Sequence, residues 1–187
     1  MQNLKKNLIL RADLFPMALM GMETDLSSFP NSSTSTAKWK YDVFLSFKGE
    51  DTRYNFMSHL YEVLIQKGIV TFKDDVKLER GESISQELSK AIEESRFAVV
   101  ILSENYASST WCLEELAKII GCKKEKGMTI LPVFHYVDPS DIRKQKGTFE
   151  QAFIKHEEKG NKERVEIWRN ALREVGKLAG WHLKNTR

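Results

Sequence analysis

The chain has 187 residues, 41% of them hydrophobic, with a formal charge of +3 made of interleaved basic and acidic residues. That is enough to bury one core of ordinary size, and too little positive charge to make a nucleic-acid groove the main surface. Its two cysteines, Cys112 and Cys122, form no CxxC and no cluster with histidine, which argues against a disulfide framework or a zinc site and for a reducing compartment. No apolar run approaches the roughly 18–20 residues that would span a membrane.

Residues 1–39 read as a disordered extension and linker. The first 22 carry Lys5, Lys6 and Arg11 and a short apolar patch around Phe15 and Leu19. Pro16 interrupts the patch and no small-residue cleavage site follows, so a targeting role is disfavoured. Residues 26–37 are rich in Ser and Thr, as linkers are.

From Tyr41 the pattern becomes regular. Residues 41–47 form a mostly apolar run that reads as a first strand. Phe56, Leu60, Val63 and Leu64 give a helical stripe over 53–67, and Gly68 ends it. Residues 69–72 are a second strand, followed by a charged loop containing Arg80 and Gly81. Ser83 and Gln86 have capping-box spacing before a helix faced by Ile84, Leu88, Ala91 and Ile92. Residues 97–102 are apolar throughout and give a third strand. A helix over 111–124 follows, then a fourth strand at 128–134, where Pro132 argues against a fully paired central position. After a turn at 138–140 come helices over 149–158 and 165–179, and 181–183 is short enough only for a last small strand.

Strands that alternate with helices, one of them apolar on both faces, imply an α/β fold with a parallel sheet covered on both sides. The leading topology is a flavodoxin-like sheet of four to five strands in the order 2-1-3-4-5. Ligands then bind beyond the carboxyl ends of the strands, where the order reverses. The reversal brings the loop after the first strand (Lys48, Gly49, Glu50, Asp51, Thr52, Arg53) towards the start of the helix after the third, with the Arg80-Gly81 loop on the same edge and the pocket open.

That helix places Trp111 and Glu115 four residues apart and so on one face. A flat aromatic beside a carboxylate suits a ligand with a planar, positively charged ring. The plainer readings are a core tryptophan and an acid favoured by the helix dipole. A capping role for Glu115 fits badly, because position 112 is Cys and Thr110 as N-cap would put Leu113 at the third position. The segment 49–53 could be a turn capped by Asp51 or Thr52, or backbone amides that hold a phosphate with Lys48 and Arg53. His135, His156 and His182 have no triad-like neighbours and are assigned no chemistry.

Several ordered motifs resemble those of plant Toll/interleukin-receptor (TIR) domains. They are Tyr41-Asp42-Val43-Phe44-Leu45-Ser46-Phe47-Lys48-Gly49-Glu50-Asp51-Thr52-Arg53, Ala91-Ile92-Glu93-Glu94-Ser95, Ser103-Glu104-Asn105-Tyr106-Ala107, Trp111-Cys112-Leu113-Glu114-Glu115-Leu116, and Val137-Asp138-Pro139-Ser140 with Arg143. The resemblance covers residues 40–187 and implies a role in intracellular plant immunity, where such domains usually form the N-terminus of receptors with nucleotide-binding and leucine-rich-repeat modules. A TIR-only protein, a truncated product and an excised fragment are all consistent with it.

The resemblance also implies NAD cleavage, with NAD as substrate, NADP use left open, and no permanently bound cofactor. The family's catalytic Glu falls on Glu115, its nucleotide-contacting segment on Lys48 to Arg53, and its loop glycine on Gly81; Trp111 would pack on the ligand. Lys48 stands where the family most often has Arg, keeping the charge but losing the planar fork. The resemblance further implies a homo-oligomer formed through the Ser58-His59 helix and the last helix, contacts with other TIR-containing receptors, and a cytoplasmic site with the nucleus as a second expectation. The competing readings are a non-catalytic TIR scaffold, a nucleic-acid-binding protein, and a nucleotide-using redox protein of the same fold. The last lacks the Gly-rich dinucleotide fingerprint.

Overall fold

The computed structural model describes residues 39–52, 56–73, 86–160 and 162–183. The N-terminal extension, Arg53, the loop with Arg80 and Gly81, and the capping-box Ser83 lie outside the described residues. Strands β1 (Tyr41–Phe47), β2 (Thr71–Lys73), β3 (Ser95–Leu102), β4 (Thr129–His135) and β5 (Trp181–Leu183) form one parallel sheet in the order β2-β1-β3-β4-β5. This is the topology that the alternation of elements implies. The described helices are α1 (Gly49–Thr52), α2 (Ser58–Gln66), α3 (Gln86–Glu93), α4 (Thr110–Lys126), α5 (Pro139–Lys144), α6 (Thr148–Lys159) and α7 (Lys162–Val175), with a 3₁₀ turn at Tyr106–Ser108.

Two short helices occupy stretches whose sequence reads as turns. In α1 the residues 49–52 coil before α2 begins. In α5, Asp138 accepts from the Ser140 amide at 2.7 Å and Pro139 sits at the first turn, which is enough to start six helical residues. Neither stretch has room for an apolar stripe, the signal by which helices are read from sequence.

Side chains alternate across β1 because the strand period is two. Val43, Leu45 and Phe47 join Leu60, Leu64 and Ile69 in the core on the α2 face. Phe44 joins Leu88, Leu113, Leu116, Phe153 and Leu172 in the larger core on the other face. Ser46 shares the parity of Phe44 and is fully buried, so a hydroxyl lies under α4.

Pro132 stands at a position paired on one side only, as a proline within the strand implies. β4 is interior, with β3 on one side and β5 on the other, and Pro132 pairs in register with Val100 of β3. The strand tolerates proline there because β5 pairs only with Val133 to His135, beyond the missing amide.

Helices α3 and α4 are clamped by Glu93, whose carboxylate receives Lys118 Nζ at 2.5 Å and Lys126 Nζ at 2.8 Å. The hydrogen bonds from Lys118 and then Lys126 lower the Glu93 carboxyl from 4.5 to about 2. The folded value lies below the unfolded one, so the clamp adds stability above about pH 4.5 and loses it as the pH falls through about 2. The side chain is 33% exposed. Solvent screening therefore reduces the contribution, and Glu93→Gln should cost about 1 kcal/mol at neutral pH. Urea unfolding of both proteins between pH 7 and 2 checks this: the gap should close in that acid window.

Candidate functional site

The carboxyl ends of β1 and β3 meet α4 at the reversal of strand order. Ser109 is the N-cap of α4, its hydroxyl accepting from the Cys112 amide at 3.2 Å. The cap thus falls one residue earlier than Thr110, and Cys112 rather than Leu113 takes the third position. Glu115 lies beyond the capping residues. Gly127, at φ 77°, closes the helix in the left-handed conformation that glycine adopts without strain.

The adjacent acids Glu114 and Glu115 have opposite fates. Glu114 Oε1 accepts from Trp168 Nε1 at 2.9 Å and pairs with Arg164, docking α7 on α4. Glu115 points inward and is 2% exposed. Ser46 Oγ donates to its Oε2 at 2.6 Å, and the Tyr106 hydroxyl lies 2.8 Å from the same Ser46 oxygen. Tyr106 is fully buried, and its hydroxyl is also 3.0 Å from the Cys112 carbonyl. Cys112 Sγ donates to the Phe47 carbonyl at 3.6 Å, tying α4 to the end of β1. Burial, and then the Glu115 charge, push the Cys112 thiol up to about 12. Burial above all holds the Tyr106 phenol well above its ordinary value. Both therefore stay protonated, and a thiolate nucleophile is excluded at neutral pH.

The loop after β1 is fastened to the loop after β3. Asp51 Oδ2 accepts from Ser103 Oγ at 2.6 Å and from the Asn105 amide at 3.1 Å, while Oδ1 accepts from Asn105 Nδ2 at 3.3 Å. Asp51 thus ties the two loops together. The Thr52 hydroxyl donates back to the Lys48 carbonyl at 3.1 Å. Lys48 Nζ is 3.0 Å from Glu50 with its own side chain only 16% exposed. From outside, α6 holds the 3₁₀ turn: Thr148 Oγ1 donates to the Glu104 carbonyl at 2.9 Å and His156 Nε2 to the Ala107 carbonyl at 2.8 Å.

Of the residues singled out in the sequence, Lys48, Asp51 and Glu115 come together around Cys112, whose thiol feels the charge of all three. Gly49, Glu50 and Thr52 form α1 beside them. Trp111 is half-buried against the α4 core, in keeping with the plainer reading, on the first turn of the helix that carries Glu115. Arg53 and Gly81 are outside the described residues. The Glu115 side chain itself is covered, at 2% exposure. Ser46, Ser103, Asn105 and Tyr106 stand in the family motifs quoted above, but the sequence assigned them no role. For Ser46 the available signal was a lone hydroxyl at a core position of an apolar strand. Among the described residues no cluster of His, Cys, Asp and Glu could hold a metal ion.

Comparison with known proteins agrees with this architecture. The family described as "TIR domain" matches residues 40–187. The chain belongs to the TIR domain family. The TIR domain is 54% identical over 166 residues to the disease resistance protein RPV1 of Vitis rotundifolia, covering 86% of this chain and 12% of that protein. It is 56% identical over 151 residues to the TMV resistance protein N of Nicotiana glutinosa, covering 80% of this chain and 13% of that protein. The chain thus spans about an eighth of the length of these curated relatives. Among solved structures it is similar to the TIR domains of the activated Roq1 resistosome, which directly recognises the pathogen effector XopQ. That match has a TM-score of 0.71 at 54% identity and covers 78% of this chain and 89% of the other. No helix among the described residues is long and apolar enough to cross a membrane.

Proposed function

We propose that this TIR domain signals in plant immunity by self-associating and hydrolysing NAD at the nicotinamide–ribose bond, with Glu115 as the catalytic carboxylate. The observation that carries the proposal is the inward-facing Glu115 at the point where the strand order reverses, its oxygen held by a buried hydroxyl. The relatives support the setting, since they are plant disease-resistance proteins.

The chemistry needs only one such group. Ordinary glycosidases require a general acid to protonate the departing oxygen. Nicotinamide leaves as a neutral molecule, because its ring nitrogen carries the positive charge beforehand. What remains is to stabilise the oxocarbenium-like ribose and orient its hydroxyls, which one ionised carboxylate does. Lys48 and Arg53 would hold the phosphates, Gly49 to Thr52 and Gly81 would line the nucleotide, and Trp111 would lie against the ribose or base.

Glu115 is 2% exposed, so ligand reaches it only after neighbouring atoms move apart. We assign that movement to assembly. Ser58 and His59 start α2, which exposes Ile65 (48%), and the last helix α7 exposes Ile167 (54%); these are the surfaces offered for contact. Turnover per subunit should therefore rise with protein concentration and then level off, as measured by nicotinamide release over a dilution series. A flat dependence would remove assembly from the mechanism. No release at any concentration, with assembly seen by light scattering, would favour the alternative of a TIR scaffold that acts through contacts alone.

A further inference from the structure

Ser46 is a polar residue at a position that the strand pattern reserves for an apolar one. From Val43 to Phe47 every residue of β1 is buried, and the others are Val, Phe, Leu and Phe. A buried hydroxyl is costly unless it is hydrogen-bonded, and this one sits between two specific groups, Glu115 Oε2 at 2.6 Å and the Tyr106 hydroxyl at 2.8 Å.

Proton counting decides what the chain of groups does. Each hydroxyl has one proton to give. With the Ser46 proton on the carboxylate, the serine oxygen accepts from Tyr106, and the tyrosine proton turns from the Cys112 carbonyl towards Ser46. The reverse order requires a proton on Glu115: Glu115 then donates to Ser46, Ser46 to Tyr106, and Tyr106 to the Cys112 carbonyl 3.0 Å away. The two arrangements differ by one proton on Glu115. A separation of 2.6 Å is that of a hydroxyl bonded to an ionised carboxylate, roughly 2.5–2.7 Å.

We propose that Ser46 and Tyr106 are positioning residues for Glu115, Ser46 donating its proton to fix the carboxylate's orientation and charged form, and Tyr106 orienting Ser46 by donating to it in turn. The proposal deepens the reading of Glu115 as the NAD-cleaving carboxylate and rests on it for its catalytic meaning. Among the described residues, the ionisable groups around the chain are Tyr106 on the 3₁₀ turn, Cys112 on α4 itself, and Lys48 and Asp51 on the segment after β1. Tyr106 and Cys112 keep their protons throughout the range in which a carboxyl titrates. Lys48 and Asp51 are unchanged by a substitution at Ser46, so their influence cancels between variants.

The test is a carbon-13 pH titration of the full chain labelled at the glutamate carboxyls, with Glu115→Gln assigning the Glu115 signal. In Ser46→Ala the Glu115 midpoint should rise by about one pH unit, because a bond to the ionised form has gone. It should rise less in Tyr106→Phe. The double variant should rise no further than Ser46→Ala, since Tyr106 acts only through Ser46. Should Ser46→Ala not fold, Ser46→Cys keeps a weak donor and should give an intermediate shift. An unchanged midpoint at position 46, or additive shifts in the double variant, overturns the proposal. If the wild type releases nicotinamide, the acid limb of kcat in Ser46→Ala should move with the titration while KM stays the same. If the wild type releases none, the NAD reading fails by itself and the titration still decides the role of Ser46.

Discussion

Glu115→Ala should reduce nicotinamide release from NAD by about a hundredfold or more, the usual cost of removing one preorganised electrostatic group. The loss should fall on kcat, because the carboxylate faces charge that develops on the ribose only as the bond breaks. Glu115→Gln should lose nearly as much, since it keeps the shape and gives up the charge. Neither change should unfold the protein. Removing a buried carboxylate also removes its desolvation cost, and Ser46 retains Tyr106 as a hydrogen-bond partner. The control is one residue away. Glu114 is bonded to Trp168 and Arg164 on the outer side of α4. Glu114→Ala should loosen the docking of α7 by about 1 kcal/mol and leave turnover per assembled subunit unchanged. Equal loss in the two alanine variants would mean that the helix, and not the Glu115 carboxylate, carries the effect.

The largest stability effect is expected at Gly180, just before β5. A Cβ there would stand 2.3 Å from the Pro132 carbonyl oxygen, 2.8 Å from Pro132 Cγ and 2.9 Å from the Phe134 ring. The first of these is backbone of the interior strand β4 and cannot swing aside. Gly180→Ala must push β5 off β4 and should cost about 3 kcal/mol, the upper end for overpacking a core. Gly121 provides the contrast. It lies within α4, and a Cβ added there would meet nothing within 4 Å, so Gly121→Ala should stabilise by up to about 1 kcal/mol through helix propensity. Urea unfolding midpoints of the two variants should move in opposite directions. A Gly180→Ala protein as stable as the wild type would mean that β5 is not anchored where the sheet register puts it.

The two glycines also mark where sequence reading stops. Both are single letters in the chain, and only the approach of Pro132 gives one of them a role.

The α/β class and the strands were legible in the sequence because they follow from local signals, and the strand order because this alternation of elements matches a flavodoxin-like topology. Apolar runs mark the strands, three-to-four spacing marks α2, α4 and α7, and Gly68 marks a helix end with positive φ. The sequence also selected Glu115 and the segment after β1, since topology puts the ends of β1 and β3 on one edge and the family motifs name the residues. What each polar group touches became visible only in the folded chain. Asp51 reads equally well as a cap, yet it bridges to Ser103 and Asn105, 52 and 54 residues on. Ser46 and Glu115 are 69 residues apart, and nothing in the spacing pairs them. The difference is one of range. Periodicity and capping act within a few residues, whereas a buried hydrogen bond depends on which side chains the finished sheet and helices bring within about 3 Å.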